Sequence, residues 1–598
     1  MTIMDKEREL IINELRTSKY FKYIINTKVE RISKDVEISQ KVRMKGNVLY
    51  NSNGHTAQTH EEIFKLYTQS IALAPMNSEE LALAYGNRSA LLLHLHKYKE
   101  SLNDIDRALK ITKSKSLKEK LLIRQLKCLN LHNSNQNLKE KPQLSNIQNQ
   151  EKVDRVKALS LKDPFQSVVI KYNEKYGRHL VAARNIKPGE IIFVQKPYVT
   201  YLNIKYPYMY CCHCLKVAWN GIPCEHCTWF IFCSEECKSQ AWEQYHNIEC
   251  SCISYILHFL RYINKESGEA VCFDGLSIRA LITGLKEYNS FEKLKDELQL
   301  VDRRLDKQTK GFSKNGKFEN NSLRSLYSLS SKIPYNEEKI HIMFAMVALT
   351  CFAKYTSIFQ DKIQTNDLEN LIKNPHFIFV GSLILKLSKI SNVNSHGIVN
   401  ITDDCKYGND LITCRKNWCC VKGVCIVPLA SLTNHSCNPN VRRCFTNDSK
   451  FILYSLQTIK KNSQIFDSYF CTFFETPNPC RQNILQDNFC FKCDCIACKQ
   501  NWPTWPVNTM FEVQLKSIKL NQKELEIWKR NENLIKQVEK GITDHKSSII
   551  NDLSKAILGS MKNLPQPSIV TYKFIFTLIT AFEKLHGYSM NNFNSCES

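Results

Sequence analysis

The 598-residue chain is 43% hydrophobic and 23% charged, an ordinary globular balance in a length that allows several domains and sizeable cores. The start Met1-Thr2-Ile3-Met4-Asp5-Lys6 has no apolar h-region, and the most apolar window, Ile340 to Phe352, is too short to span a bilayer. A soluble chain of the cytoplasm and nucleus is therefore expected, its 26 cysteines serving as thiols or metal ligands, not as a disulfide framework.

The net charge of +24 has two readings, an acidic partner or a Lys- and Asn-rich bias spread over the surface. Residues 1–45 read as a polar helical segment, with Leu10, Ile11, Leu15, Tyr20 and Phe21 at helical spacing. Helix pairs follow to about His132. One is expected to open at Lys45-Gly46-Asn47, another to run from Glu62 to Pro75, a third to begin at Ala84, a fourth to span Tyr98–Ala108, and a degenerate unit to cover Ser116–Leu131. Small residues at Gly46, Ala72, Ala90 and Ala108, with aromatics at Tyr67 and Tyr98, resemble the tetratricopeptide consensus. Residues 133–160 read as a polar linker. Short β-type runs then appear at Val168–Ile170, Leu180–Ala183 and Ile191–Val194, punctuated by Tyr176-Gly177-Arg178 and Lys187-Pro188-Gly189-Glu190.

A cysteine cluster follows: Cys211 and Cys214, Cys224 and Cys227, Cys233 and Cys237, His246 and Cys250. The spacings C-x2-C, C-x2-C, C-x3-C and H-x3-C supply eight ligands, enough for two tetrahedral zinc sites. So short a segment has little core of its own, so metal must supply its folding energy. Cys212, His213, His226 and Cys252 are read as bystanders. Residues 253–390 read as helical, with a disordered polar loop expected near Asp306–Asn321. Strands are expected again at 423–427, 441–445, 451–456 and 465–468.

The stretch Ser431-Leu432-Thr433-Asn434-His435-Ser436-Cys437-Asn438-Pro439-Asn440 is a poor helix and a poor strand, because Asn and Ser compete for backbone hydrogen bonds and Pro439 lacks a donor. It reads as an irregular loop held by something else. A second cluster, Cys493, Cys495 and Cys498, is C-x-C-x2-C and one ligand short of a tetrahedron. Cys437 is the natural fourth ligand, which gives three zinc ions per chain. Helices are expected at 523–541, 545–562 and 566–586.

The first cluster resembles a MYND finger. That resemblance implies interleaved sites, Cys211, Cys214, Cys233 and Cys237 on one ion and Cys224, Cys227, His246 and Cys250 on the other, in a module that takes proline-containing peptides. A β-rich region split by such a finger, with Asn434-His435-Ser436-Cys437, Tyr469 and the C-x-C-x2-C tail, resembles the SET-and-MYND family of lysine methyltransferases, in its tetratricopeptide-bearing branch. The implied fold is α+β: an N-terminal helical segment (1–45), TPR-like repeats (46–132), linker (133–160), first SET part (161–205), finger (206–252), helical insert (253–390), SET catalytic core (391–488), post-SET zinc motif (489–500) and a C-terminal helical region (501–598).

The resemblance implies an S-adenosylmethionine site formed by Gly177, Arg178, His179, Asn394, Asn434, His435, Tyr469 and Phe491, with Tyr469 catalytic beside the transferred methyl. His179 replaces a glycine of the family loop, Tyr176 a common lysine, and Phe489 a second channel tyrosine. The expected function is methylation of lysine on a histone or non-histone protein by a monomeric enzyme whose repeats and finger select the partner. The alternative is a catalytically weak or inactive scaffold. Direct nucleic-acid binding ranks below both, because the finger spacing places no recognition helix.

Overall fold

The computed structural model describes residues 3–31, 33–52, 56–139, 163–268, 274–359, 368–399, 421–505, 520–540 and 546–586. Most of the expected linker lies outside them.

Helices α1 (Ile3–Thr17) and α2 (Lys19–Asn26) do not stand apart. α1 packs on the later helices Glu338–Tyr355 and Pro375–Asn394, where buried Lys389 bridges Glu7 and Glu338. Helix α3 (Val36–Tyr50) starts well before Lys45, because Asp35 caps it by accepting from the Ile38 N–H. Lys45-Gly46-Asn47 therefore lies within the helix. Gly46 allows close approach there, since a Cβ would sit 2.6 Å from a Tyr67 ring carbon. Helices α4 (Ala57–Leu73), α5 (Glu79–His94), α6 (Tyr98–Ile111) and α7 (Lys115–Lys139) complete an antiparallel stack, consecutive helices packing on one another. Ser78 and Thr56 cap α5 and α4 through their hydroxyls.

The β-region is assembled from distant pieces. β1 (Val168–Asn173) and β2 (Gly177–Ala182) form a hairpin running from Val168↔Ala182 to Asn173↔Gly177. Its turn needs a left-handed residue, and Gly177 supplies φ +63°. β3 (Ile191–Gln195) pairs with β11 (Phe451–Ser455), which pairs with β10 (Val441–Phe445). β4 (Val199–Leu202) and β7 (His396–Val399) flank β8 (Val421–Ile426). The finger, carrying the small hairpin β5 (Ile222–Pro223) and β6 (Ile231–Phe232), and the helical insert therefore interrupt one β-region, whose halves reunite by hydrogen bonding.

The finger is wedged between the repeats and the sheets. Arg88 of α5, fully buried, makes two bonds to Asp104 and donates to Thr68 Oγ1 and, across the interface, to the Gly221 carbonyl. Arg107 reaches the Asn220 carbonyl, and Phe64 meets Trp219 edge-on. On the other side Ser449 donates to the Cys214 carbonyl and Arg279 to that of Cys212.

Two sequence expectations are corrected. Residues 306–321 are not disordered. Asp306 accepts from the Gln308 and Thr309 side of its turn, Arg304 donates to Thr309 Oγ1, and Ser325 closes on the Gly311 carbonyl. The expectation that no apolar window reaches membrane length also fails. Helix Pro375–Asn394 is long and apolar enough, but 83% of that window is buried inside the fold, where it packs as a core helix. Of three C-terminal helices, Ile569–His586 packs on β10 and stacks Phe582 on Tyr454 of β11, and Gln522–Lys540 and Lys546–Asn563 pack on that helix.

Candidate functional site

Asn434 and His435 are not wholly irregular. They form a two-residue parallel strand, β9, against β12 (Phe466–Asp467). The loop after them is stitched to the same segment. The Ser436 N–H donates to the Asp467 carbonyl, the Asn440 N–H to that of Phe466, and the Asn440 side chain bonds both the Gln464 carbonyl and the Phe466 N–H. Pro439 needs no donor in this arrangement.

This turn opens on a cavity of about 2240 Å³ whose wall includes Gly177, Arg178, Asn394, Asn434, His435, Tyr469, Phe489 and Phe491. Four rings gather there. Tyr469 lies 5.4 Å from His435, 5.1 Å from Phe489 and 6.3 Å from Phe491, the last nearly perpendicular, and His435 lies 5.9 Å from Phe491. Burial raises the Tyr469 phenol above its ordinary range, with the nearby Asp467 charge adding to it, so the hydroxyl keeps its proton. Asp467 is itself held by Arg443 and accepts from the Ser468 N–H at 2.8 Å. Burial holds the His435 imidazole down to about 4, hence neutral.

The amides are half used. Asn394 spends its NH₂ on the carbonyls of Ser330 (2.7 Å) and Ile390 (2.8 Å), and Asn434 gives a hydrogen to the Tyr176 carbonyl (3.1 Å). Each retains an amide oxygen as acceptor. A Cβ on Gly177 would meet no heavy atom within 4 Å, so the hairpin turn leaves open space. Amide acceptors, open backbone and an aromatic wall suit a ligand with an ammonium group and a flat heteroaromatic ring.

Two residues of the expected set are otherwise engaged. Arg178 lines the cavity, but its guanidinium donates to the carbonyls of Lys310 and Ser328 and to Ser328 Oγ, and burial lowers it to about 10. It pins β2 to the 306–328 loop. His179 is buried and is not among the residues lining the cavity. Its ring donates from Nδ1 to the Gly177 carbonyl and packs edge-on to Tyr176.

Three ligand clusters stand among the described residues: Cys211, Cys214, Cys233, Cys237; Cys224, Cys227, His246, Cys250; and Cys437, Cys493, Cys495, Cys498. Within each, the ligand atoms lie within 4.8 Å of one another. Separations of 3.5 Å (Cys214–Cys233, Cys233–Cys237, Cys437–Cys498) and 3.8 Å (Cys224–Cys250) match the edge of a tetrahedron with metal–sulfur bonds of about 2.3 Å. The residues fit a tetrahedral metal ion. Cys212, His213, His226 and Cys252 belong to none of the clusters.

The supporting partners of these ligands escaped sequence reasoning. His246 Nδ1 faces Glu249 at 3.3 Å, and Glu249 is paired with buried Arg279. This carboxylate fixes the ring so that Nε2 faces the cluster. Arg481, fully buried, donates to Cys498 Sγ, and Arg31 to Cys250 Sγ. Only Glu249 had a local signal, three residues after His246 on a helix; the arginines come from remote segments.

A β-region rejoined across a cysteine finger and a helical insert, with Asn434-His435 beside an aromatic cage and a cysteine-bound tail, defines a SET domain. The SET-domain family model matches residues 177–470. The chain is similar to protein-lysine N-methyltransferase SMYD4 of Pongo abelii, 23% identical over 552 residues that cover 78% of this chain and 68% of that protein. The Homo sapiens protein of that name is 23% identical over 556 residues, with the same shares. Histone-lysine N-methyltransferase ASHR1 of Arabidopsis thaliana is 26% identical over 322 residues, covering 54% of this chain and 53% of that protein. The chain thus carries a SET domain and is similar to curated protein-lysine methyltransferases along most of its length.

Proposed function

We propose that this chain is an S-adenosylmethionine-dependent protein-lysine N-methyltransferase with three structural zinc ions. The observation that carries the reading is the ring cage of Tyr469, His435, Phe489 and Phe491 on the same cavity as Asn394 and Asn434. S-adenosylmethionine supplies, when bound, a methyl group already activated on a sulfonium. Asn394 and Asn434 offer their free amide oxygens to its ammonium and polar edges, and Phe491 an apolar face to its ring. Tyr469 presents a protonated hydroxyl that orients the incoming lysine amine. Phe489 and the other rings make the channel apolar, which favours the neutral amine over the ammonium. With the cofactor bound, its sulfonium would supply the methyl to the aligned amine nitrogen, whose surplus proton would leave to water. Alignment and water exclusion account for the rate.

His179, whose ring bonds the Gly177 carbonyl and is not part of the cavity wall, does not fill the cavity, which supports the enzyme over the scaffold alternative. Helices α4–α6 cover one side of the finger, so exposed Trp242, tilted against His226 at 5.2 Å, is the face we assign to a peptide partner. The test is calorimetric titration of S-adenosylmethionine into the full chain, with zinc counted by mass spectrometry. Binding with about three zinc ions per chain is expected. Absence of binding at millimolar cofactor refutes the enzyme.

A further inference from the structure

His435 occupies a position that its place in the wall does not explain. Its Nδ1 lies 3.0 Å from the backbone nitrogen of Tyr469, and its Nε2 lies 3.3 Å from Cys437 Sγ. A backbone N–H can only donate, so Nδ1 is the bare, accepting nitrogen. The neutral ring then carries its proton on Nε2 and points it at Cys437. As a ligand in a metal cluster, Cys437 is a thiolate and accepts. The hydrogen bonds therefore run from the Tyr469 amide through one imidazole to a ligand sulfur.

The ring has little freedom to do otherwise. His435 is buried, its backbone is paired with Asp467 in the β9–β12 bridge, and the Phe491 and Tyr469 rings pack tilted against it from one side. The segment Asp467–Tyr469 is thus gripped at two points, by the backbone bridge at Asp467 and by the imidazole at Tyr469. Arg481 supplies a second N–H to the same cluster through Cys498. Four thiolates around a dication keep an excess of negative charge, which such donors stabilise.

We propose that His435 is a positioning residue that ties Tyr469 to the Cys437 metal site, so that the post-SET cluster sets the position of the Tyr469 hydroxyl. Its bearing on methyl transfer rests on the function proposed above; the link itself does not. His435→Gln and His435→Leu in the full chain test it. The O–C–N of a glutamine amide mimics Nδ1–Cε1–Nε2, accepting at one end and donating at the other, whereas leucine can do neither. Amide hydrogen exchange at Tyr469 and the thiolate-to-metal absorption of the cobalt-loaded chain read the link without turnover. In His435→Leu, exchange at Tyr469 is expected to quicken by about tenfold or more and the absorption to move, with three metals retained; glutamine should restore both. Single-turnover transfer at saturating cofactor should fall about tenfold with leucine and recover with glutamine. Unchanged exchange and absorption in His435→Leu overturn the proposal, as do equal losses in both variants. If His435→Leu does not fold, His435→Gln alone decides: wild-type exchange supports the link, and fast exchange refutes it. Loss of cofactor binding in the wild type would instead count against the enzyme and leave both link readouts measurable.

Discussion

Tyr572, on the helix Ile569–His586, donates its hydroxyl to Asn438 Oδ1 at 2.8 Å. The C-terminal helices are thereby bonded to the loop that bears Asn434, His435 and Cys437. Gln457 Nε2 donates to the same oxygen at 3.0 Å, so Asn438 is a shared acceptor for two elements remote in sequence. Phe473 packs edge-on to the Tyr572 ring at 4.7 Å. Tyr572→Phe keeps the packing and removes the donor, and should cost about 1 kcal/mol of stability in urea unfolding. Digestion of the C-terminal helices by limited proteolysis should quicken in parallel; unaltered stability and digestion would show the bond to be idle.

Arg88 and its partner Asp104 are both fully enclosed where the repeats meet the finger. Arg88→Met leaves Asp104 with only the partly exposed Arg107 and should destabilise the chain by about 3–5 kcal/mol. Adding Asp104→Leu removes the stranded charge and should recover part of the loss. Denaturant unfolding of the single and double variants measures both, and equal stability of the two would contradict the buried-charge account.

His341 donates or accepts at Ser388 across 2.8 Å, and burial holds its imidazole down to about 4 against an ordinary 6.5. Between those values the unfolded chain binds a proton that the folded chain does not. Stability should therefore fall as pH drops below about 6.5 and this contribution should level off below about 4. His341→Gln should reduce the proton uptake on unfolding at pH 5 by about one. The measurement is the pH slope of the unfolding free energy; an identical slope in the variant would refute the assignment.

Phe489 lies 5.1 Å from Tyr469 and brings no hydroxyl to the cage. On the proposed function, Phe489→Tyr adds a polar group and bulk to the channel. It should slow the second and third transfers to one lysine by about tenfold relative to the first. Mass spectrometry of a methylated peptide over time reads the ratio, and an unchanged product distribution would place Phe489 outside the channel.

Much of this architecture was legible because its signals are local. Metal ligands two to four residues apart declare themselves, as do Gly46 facing Tyr67 and the β-type runs at 168–170 and 191–194. The closing of Cys437 on the C-x-C-x2-C tail followed from a missing ligand. Relations that depend on the folded path were not legible. Nothing near Arg178 announces that Lys310 and Ser328 carbonyls will take its donors. The order of residues 306–321 comes from side chains such as Arg304 and Ser325 that fold back onto a polar loop. His179 sits in the expected loop, yet the direction of its ring depends on the Gly177 carbonyl. α3 starts ahead of the helix opening expected at Lys45 because the Asp35 cap precedes a weakly patterned first turn.

The interrupted β-region also bears on how the chain is made. Residues 191–202 leave the ribosome long before residues 421–426 and 451–455, their hydrogen-bonding partners, exist. The stack α3–α7 and the cysteine finger have partners close in sequence and can form at once, whereas β3 and β4 must wait as open edges. Vectorial synthesis thus gives this protein an interval in which its helical stack and finger can be folded while the halves of its SET region are still apart.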